Sequence, residues 1–349
     1  MESLSLQNFI SLIIVFVSWL LIIFLLTART KNKTSNIILA LFLIVNAQDS
    51  SGLFASYFVY PKFPGWGMII NSTVFFKLPL LYLYFLSVIY SDFKFKKIHL
   101  FHLTAWIINT IVLTPRFYAV DFDAKWAFLR VIDYRETIEI RFSYIIVHIQ
   151  ILVYFIMSFI LIKKYKTLLL ENYSNSNLLN YKWLFQIVFL YTVIAFIATI
   201  KNIFLFLHLE TILFYTQITV SLIALGFMCW FVLKVMHSPE IFRGINSNLQ
   251  LVKSIVQEDQ HMRIQDSIES SEIIALKKYM LERKPYLNAS LTIYNLSNEM
   301  DMNVRDLSLL INHDLNQHLF DFVNGYRIRK AMDIIKDTQK KERTILEIL

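Results

Sequence analysis

The 349-residue chain is 56% hydrophobic with a mean hydropathy of +0.51, above the roughly 45–50% apolar content of soluble domains. Six glycines and six prolines are too few for a turn-rich all-β fold, and the single Cys229 excludes a disulfide framework or a cysteine-based zinc site. The formal charge of +8 is no nucleic-acid signature, because residues 1–237 hold 19 Lys/Arg against 10 Asp/Glu while residues 238–349 hold 15 against 16. The basic excess lies in the apolar part, where loop charges set membrane topology.

A membrane span needs roughly 20 mainly apolar residues to cross about 30 Å of hydrocarbon. Seven segments meet that length: 8–26, 36–59, 68–90, 98–115, 142–162, 183–207 and 211–236. The first is too long for a signal peptide and lacks a small-residue cleavage site, so it is expected to persist as a helix. Lys and Arg concentrate in alternate loops: Arg29, Lys31 and Lys33; Lys94, Lys96 and Lys97; Lys163, Lys164, Lys166 and Lys182. The positive-inside rule then predicts an outside N-terminus and a cytoplasmic C-terminus. The expected location is a bacterial inner membrane, crossed several times, with the lipid bilayer as one partner.

Polar residues inside the spans are the candidates for sensing an unknown signal ligand. Asp49 and Lys77 lie at comparable depth in the second and third spans, and Lys201 and Asn202 lie nearer the outer end of the sixth. An intramembrane charge is costly unless paired or hydrated, so these positions mark either a structural Asp49–Lys77 bridge that fixes helix packing or a ligand-lined cavity. His99 and His102 share a helix face without a third ligand, so no metal site is expected. The 116–141 loop carries Tyr118, Trp126 and Phe128 and suits either an external lid or an interfacial anchor.

After Met236 the composition turns polar, and 238–270 reads as a cytoplasmic linker in which Ile245, Leu249, Val252, Ile255 and Val256 recur at helical spacing. From Ser271 an amphipathic helix is predicted to stop before Pro285. A second follows at 293–300, capped by Thr292, then a turn at Asp301-Met302-Asn303 and a third helix from Val304 to about His313. Asp301 suits a left-handed turn position, and Asn303 can cap the third helix with Asp306 at its start. Leu307, Leu310 and Ile311 would face inward, leaving Arg305, Ser308, Leu309 and Asn312 on the outer face. This is the layout of a helix-turn-helix, in which Arg305 could reach guanine or phosphate and Asn312 adenine. A plain three-helix bundle without nucleic acid satisfies the same spacing.

The stretch from Leu291 through Asn303, with Leu307-Ser308 and Ile311-Asn312, resembles the first helix-turn-helix of AraC/XylS-type regulators. Leu319 through Arg327, with Ala331 and Ile334-Ile335, resembles that family's connecting helix, and Lys284-Pro285-Tyr286-Leu287 its lead-in among membrane-bound members. Asn316 stands where the family usually has glycine. The family carries two such units, whereas Thr344–Leu349 resembles only the opening turn of the second, so 271–349 is expected to hold one unit and the connecting helix. The resemblance implies sequence-specific binding to double-stranded DNA, activation more often than repression, and phosphate contacts from Arg327, Arg329 and Lys330. A single unit should bind weakly, mainly through phosphates.

The expected fold is therefore all-α, a polytopic bundle of about seven spans over 1–237 followed by a small helix-turn-helix domain. No catalytic residues or cofactors are expected: the chain has no glycine-rich phosphate loop, no His-Glu-x-x-His and no Gly-x-Ser-x-Gly. A homodimer is compatible with this organisation. The alternatives are a membrane transporter or enzyme with a regulatory tail, and an interaction-only protein with an incomplete DNA-binding domain.

Overall fold

The computed structural model describes residues 6–28, 33–52, 59, 61–130, 137–175, 178–237 and 269–336. Helices dominate, and no strand occurs among the described residues beyond one isolated bridge between Tyr173 and Thr292. The chain divides into two compact units, one of Met1–Ile160 with Lys182–Asn246, the other of Leu161–Tyr181 with Ser247–Leu349. The linker reading falls outside the described residues for 238–268, as does everything after Lys336.

In the first unit, helix α1 (Leu6–Thr27) contains no charged residue and packs on α2 (Lys33–Ser50). It buries Ile10, Ile14, Leu21, Ile22 and Leu25 at helical spacing. Its opposite face shows Phe9, Phe16, Trp19, Ile23 and Leu26 to the surroundings. Water would penalise such an apolar outer stripe, whereas a bilayer accepts it. The third expected span forms α3 (Pro64–Ser72), a tight turn at Thr73–Phe76, and α4 (Lys77–Ile89).

Pro79 explains part of that interruption. It has no N–H to give the Phe75 carbonyl four residues earlier, and Gln150 Nε2 donates to that oxygen at 2.9 Å. A side chain thus replaces the lost backbone bond where water is scarce. Further on, α5 (Thr104–Leu113) continues the 97–103 turn, and α6 (Phe122–Arg130) lies in the expected long loop. That loop is not open over its described part: Phe117 and Phe128 close a small core with Met68 and Leu113.

The three longest helices are α7 (Ile138–Asn172), α8 (Leu178–Phe206) and α9 (Glu210–His237). Helix α7 has 35 residues, about 52 Å at 1.5 Å per residue, well beyond one span. Ile145, Ile149, Leu152, Ile156 and Ile160 form its exposed apolar stripe.

Among the described residues, six helices are long and apolar enough to cross a membrane: Leu6–Thr27, Pro64–Ile89, Lys97–Tyr118, Ile138–Asn172, Tyr181–Phe206 and Glu210–Lys234. The expected second span, 36–59, is the exception. Its described helix α2 is 18 residues long and ends at Ser50, and residues 53–58 lie outside the described set.

In the second unit a cluster of apolar residues closes on a centre, although Ile274, Leu281, Leu287, Ile328 and Ile335 stay exposed. Helices α10 (Glu269–Arg283), α11 (Ile293–Met300), α12 (Val304–Leu309) and α13 (Leu319–Lys336) surround a core of Leu276, Met280, Leu291, Leu296, Leu307, Ile311, Leu319 and Val323, among others. Lys284, in the left-handed region at φ 53°, ends α10 just before Pro285.

Candidate functional site

The α11–α12 pair is built by local capping. Thr292 accepts a hydrogen bond from the Asn295 amide at 3.2 Å, and the Asn295 side chain accepts from the Thr292 amide at 3.2 Å. This reciprocal cap satisfies two of the amides a helix start leaves open. At the other end Asp301 takes φ 49° and ψ 40°, and the Met302 amide donates to the Ser297 carbonyl at 3.0 Å. That six-residue closure with a left-handed residue is a Schellman ending. Asn303 then caps α12, its Oδ1 accepting from the Arg305 amide at 2.8 Å, with Asp306 in the first turn. Leu307 and Ile311 turn into the core while Arg305 is exposed.

The remaining outer-face residues do not all face outward. Ser308 and Leu309 are only 6% and 3% exposed. Asn312 lies on a π-helical turn at Leu310–Asp314, and its Nδ2 donates to the Ser308 carbonyl at 3.0 Å and to the Glu171 carbonyl at 3.4 Å. Asn316 completes this irregular end in the left-handed region at φ 49°, a conformation that asparagine tolerates better than most residues.

Arg327 is likewise turned inward. Its guanidinium donates to the carbonyls of Tyr286 at 2.8 Å, Asn288 at 2.7 Å and Ser174 at 3.0 Å, and to Asn324 Oδ1 and Ser174 Oγ. Burial draws its pKa below the ordinary arginine value, and its donors are committed to the chain's own oxygens. Arg329 is exposed, stacks 4.5 Å from the Tyr326 ring centroid and donates to the Gly325 carbonyl at 3.1 Å. Lys330 is half-buried. Of the three residues expected to contact phosphate, Arg329 is the exposed one in this structure.

The first unit gathers the polar residues of its spans. Lys77 Nζ lies 2.7 Å from Asp49 Oδ2 and 5.9 Å from the Tyr191 ring centroid. Lys201 lies near enough to interact electrostatically with both Asp49 and Lys77. The Asp49 carboxylate thus has one ammonium group in contact and a second within electrostatic range. The Asp49 side chain keeps 43% of its exposure, and a charge so placed at membrane depth calls for water or a polar ligand rather than acyl chains.

Asn202 belongs to a neighbouring pair, its Nδ2 being 3.4 Å from His148 Nε2. His148 Nδ1 is 2.6 Å from the Tyr144 carbonyl, an oxygen that can only accept, so Nδ1 donates there. Sequence reasoning did not bring in Tyr191 or His148; their only signal was a polar or aromatic residue within a long apolar helix. Among the described residues, no three His, Cys, Asp or Glu side chains converge as a metal site would require. His102 Nδ1 instead lies 2.5 Å from the Tyr154 hydroxyl.

No family model, curated protein or solved structure matches the chain.

Proposed function

We propose that this chain is a membrane-tethered transcription regulator of the bacterial inner membrane. About seven spans place the N-terminus outside and the C-terminal unit in the cytoplasm, where a helix-turn-helix over 293–314 binds double-stranded DNA. The observation carrying this reading is the α11–turn–α12 geometry: two capped helices on one core, joined at a left-handed Asp301, with Arg305 at the exposed start of the second. A recognition helix enters the major groove by its N-terminal residues, and Arg305 holds that position. Ser308, Leu309 and Asn312 are the further expected base contacts, of which Ser308 and Leu309 are buried in this structure, and Arg329 supplies a phosphate contact.

The Asp49–Lys77–Lys201 cluster is the proposed sensing site, and its excess of ammonium over carboxylate favours an anionic signal. Genome-wide occupancy of the tagged 349-residue chain tests the reading. Discrete peaks are expected, with Arg305→Ala losing base preference by about 1–3 kcal/mol where the contact is bidentate. Peaks for neither chain would reject DNA binding.

A further inference from the structure

The outer face of α12 and the following turn already has an occupant. We infer that the interaction partner of this face is the chain's own 165–175 stretch, the end of α7 and the residues that follow it, and that DNA must displace it. The inference rests on the regulator reading above.

Four observations meet at this place within the second unit. Leu309 is 3% exposed although it lies a half-turn away from Leu307, which enters the domain's core. Asn312, one turn beyond Ser308, donates to the Glu171 carbonyl at 3.4 Å. Residues 173–174 run beside 291–292, through the Tyr173–Thr292 bridge and a 3.1 Å bond from the Ser174 amide to the Leu291 carbonyl. Ser174, with 0% exposure, receives Arg327 on both its carbonyl and its hydroxyl, and Asn324 Nδ2 adds a 3.4 Å bond to the same carbonyl.

The sequence of α7 beyond its expected span is built for such a contact. Tyr165, Leu168, Leu169 and Asn172 recur every three or four residues and are buried, while Lys163, Lys164 and Lys166 are exposed. A segment that only left the membrane into water would not need that apolar stripe. Asn312 and Arg327, both expected at the DNA, are engaged by residues 171–174 here, so this contact and contact with DNA exclude one another.

The covered state is also imperfect. Asn312 Oδ1 is buried without a hydrogen-bond partner among the described residues, whereas an adenine N6 amino group would satisfy it.

Thiol labelling of the 349-residue chain in membrane fragments open on both sides tests the contact, in a Cys229→Ser background because Cys229 is exposed. Ser308→Cys is nearly isosteric and should react with a membrane-impermeant maleimide at least about tenfold more slowly than Ser290→Cys, which is exposed. Ser297→Cys, at 1% exposure beside the core, reports whether the domain is folded. Adding Ser174→Arg, which sets volume and like charge against Arg327, should release Ser308→Cys while Ser297→Cys stays shielded, and should raise DNA occupancy several-fold.

Labelling of Ser308→Cys as fast as Ser290→Cys would overturn the contact without using any disruptive variant. Equal DNA occupancy with and without Ser174→Arg, at discrete peaks, would overturn the competition but leave the regulator reading intact. Shielded Ser308→Cys with no peaks in either chain would reject the regulator reading, and the competition with it.

Discussion

The two units of this protein use the same apolar residue types in opposite senses. In the first, Phe, Ile and Leu side chains line the outside of α1 and α7, and polar groups such as Gln150 and the Asp49–Lys77 pair sit between helices. In the second, Leu276, Leu296, Leu307 and Val323 close on a centre, and exposed Lys and Glu face out. The difference follows from the solvent each unit is made for. Water drives apolar area inward, whereas a bilayer removes that drive and instead demands that every backbone and side-chain polar group find a partner.

Substitutions should separate the two regimes, beginning with the largest effect. Leu296→Ala, in the centre of the second unit, is expected to cost about 2–5 kcal/mol and to make 269–336 sensitive to limited proteolysis while the bundle resists. Equal loss of both units would break the comparison.

Asp49→Asn should come next. It leaves Lys77 without its carboxylate, and a loss of about 1–3 kcal/mol is expected, set below the value for a fully buried pair because Asp49 stays 43% exposed. Thermal unfolding in detergent would read this, and Asp49→Asn with Lys77→Met should recover most of the loss. No recovery in the double variant would show that the charges act separately.

Smaller effects sharpen the second unit. Thr292→Ala removes the α11 cap and should cost about 1 kcal/mol by denaturant titration. Asn316→Gly should stabilise by roughly 0.5 kcal/mol, since the position already holds a positive φ that glycine adopts freely. Ile149→Ala, on the outward face of α7, should lie within about 0.5 kcal/mol of the parent in detergent. A larger loss there would mean that this face packs against protein.

Much of the fold could be read along the chain because the responsible signals are local. The segments 8–26, 142–162, 183–207 and 211–236 each overlie a long apolar helix, and Thr292, Asp301 and Asn303 occupy the capping and turn positions their side chains suit. The second segment was harder to read: its described helix α2 ends at Ser50, beside the polar run Asn46, Gln48 and Asp49, and residues 53–58 lie outside the described set. The candidate site was legible only in part. Arg305 is at an exposed helix start, but helical spacing assigns Ser308, Leu309 and Asn312 to an outer face without saying what lies against it.

The amino-acid sequence by itself determined what depends on neighbours within a few residues: helix lengths, caps, the left-handed turn, and which apolar stretches can span a bilayer. Only the tertiary structure decided what depends on residues far apart along the chain. Gln150 stands in for the amide that Pro79 lacks, Lys77 pairs with Asp49, and Arg327 turns from an expected phosphate contact to the carbonyl and hydroxyl of Ser174. Burial and long-range pairing are properties of the packed chain, and periodicity marks a face without naming the surface that covers it.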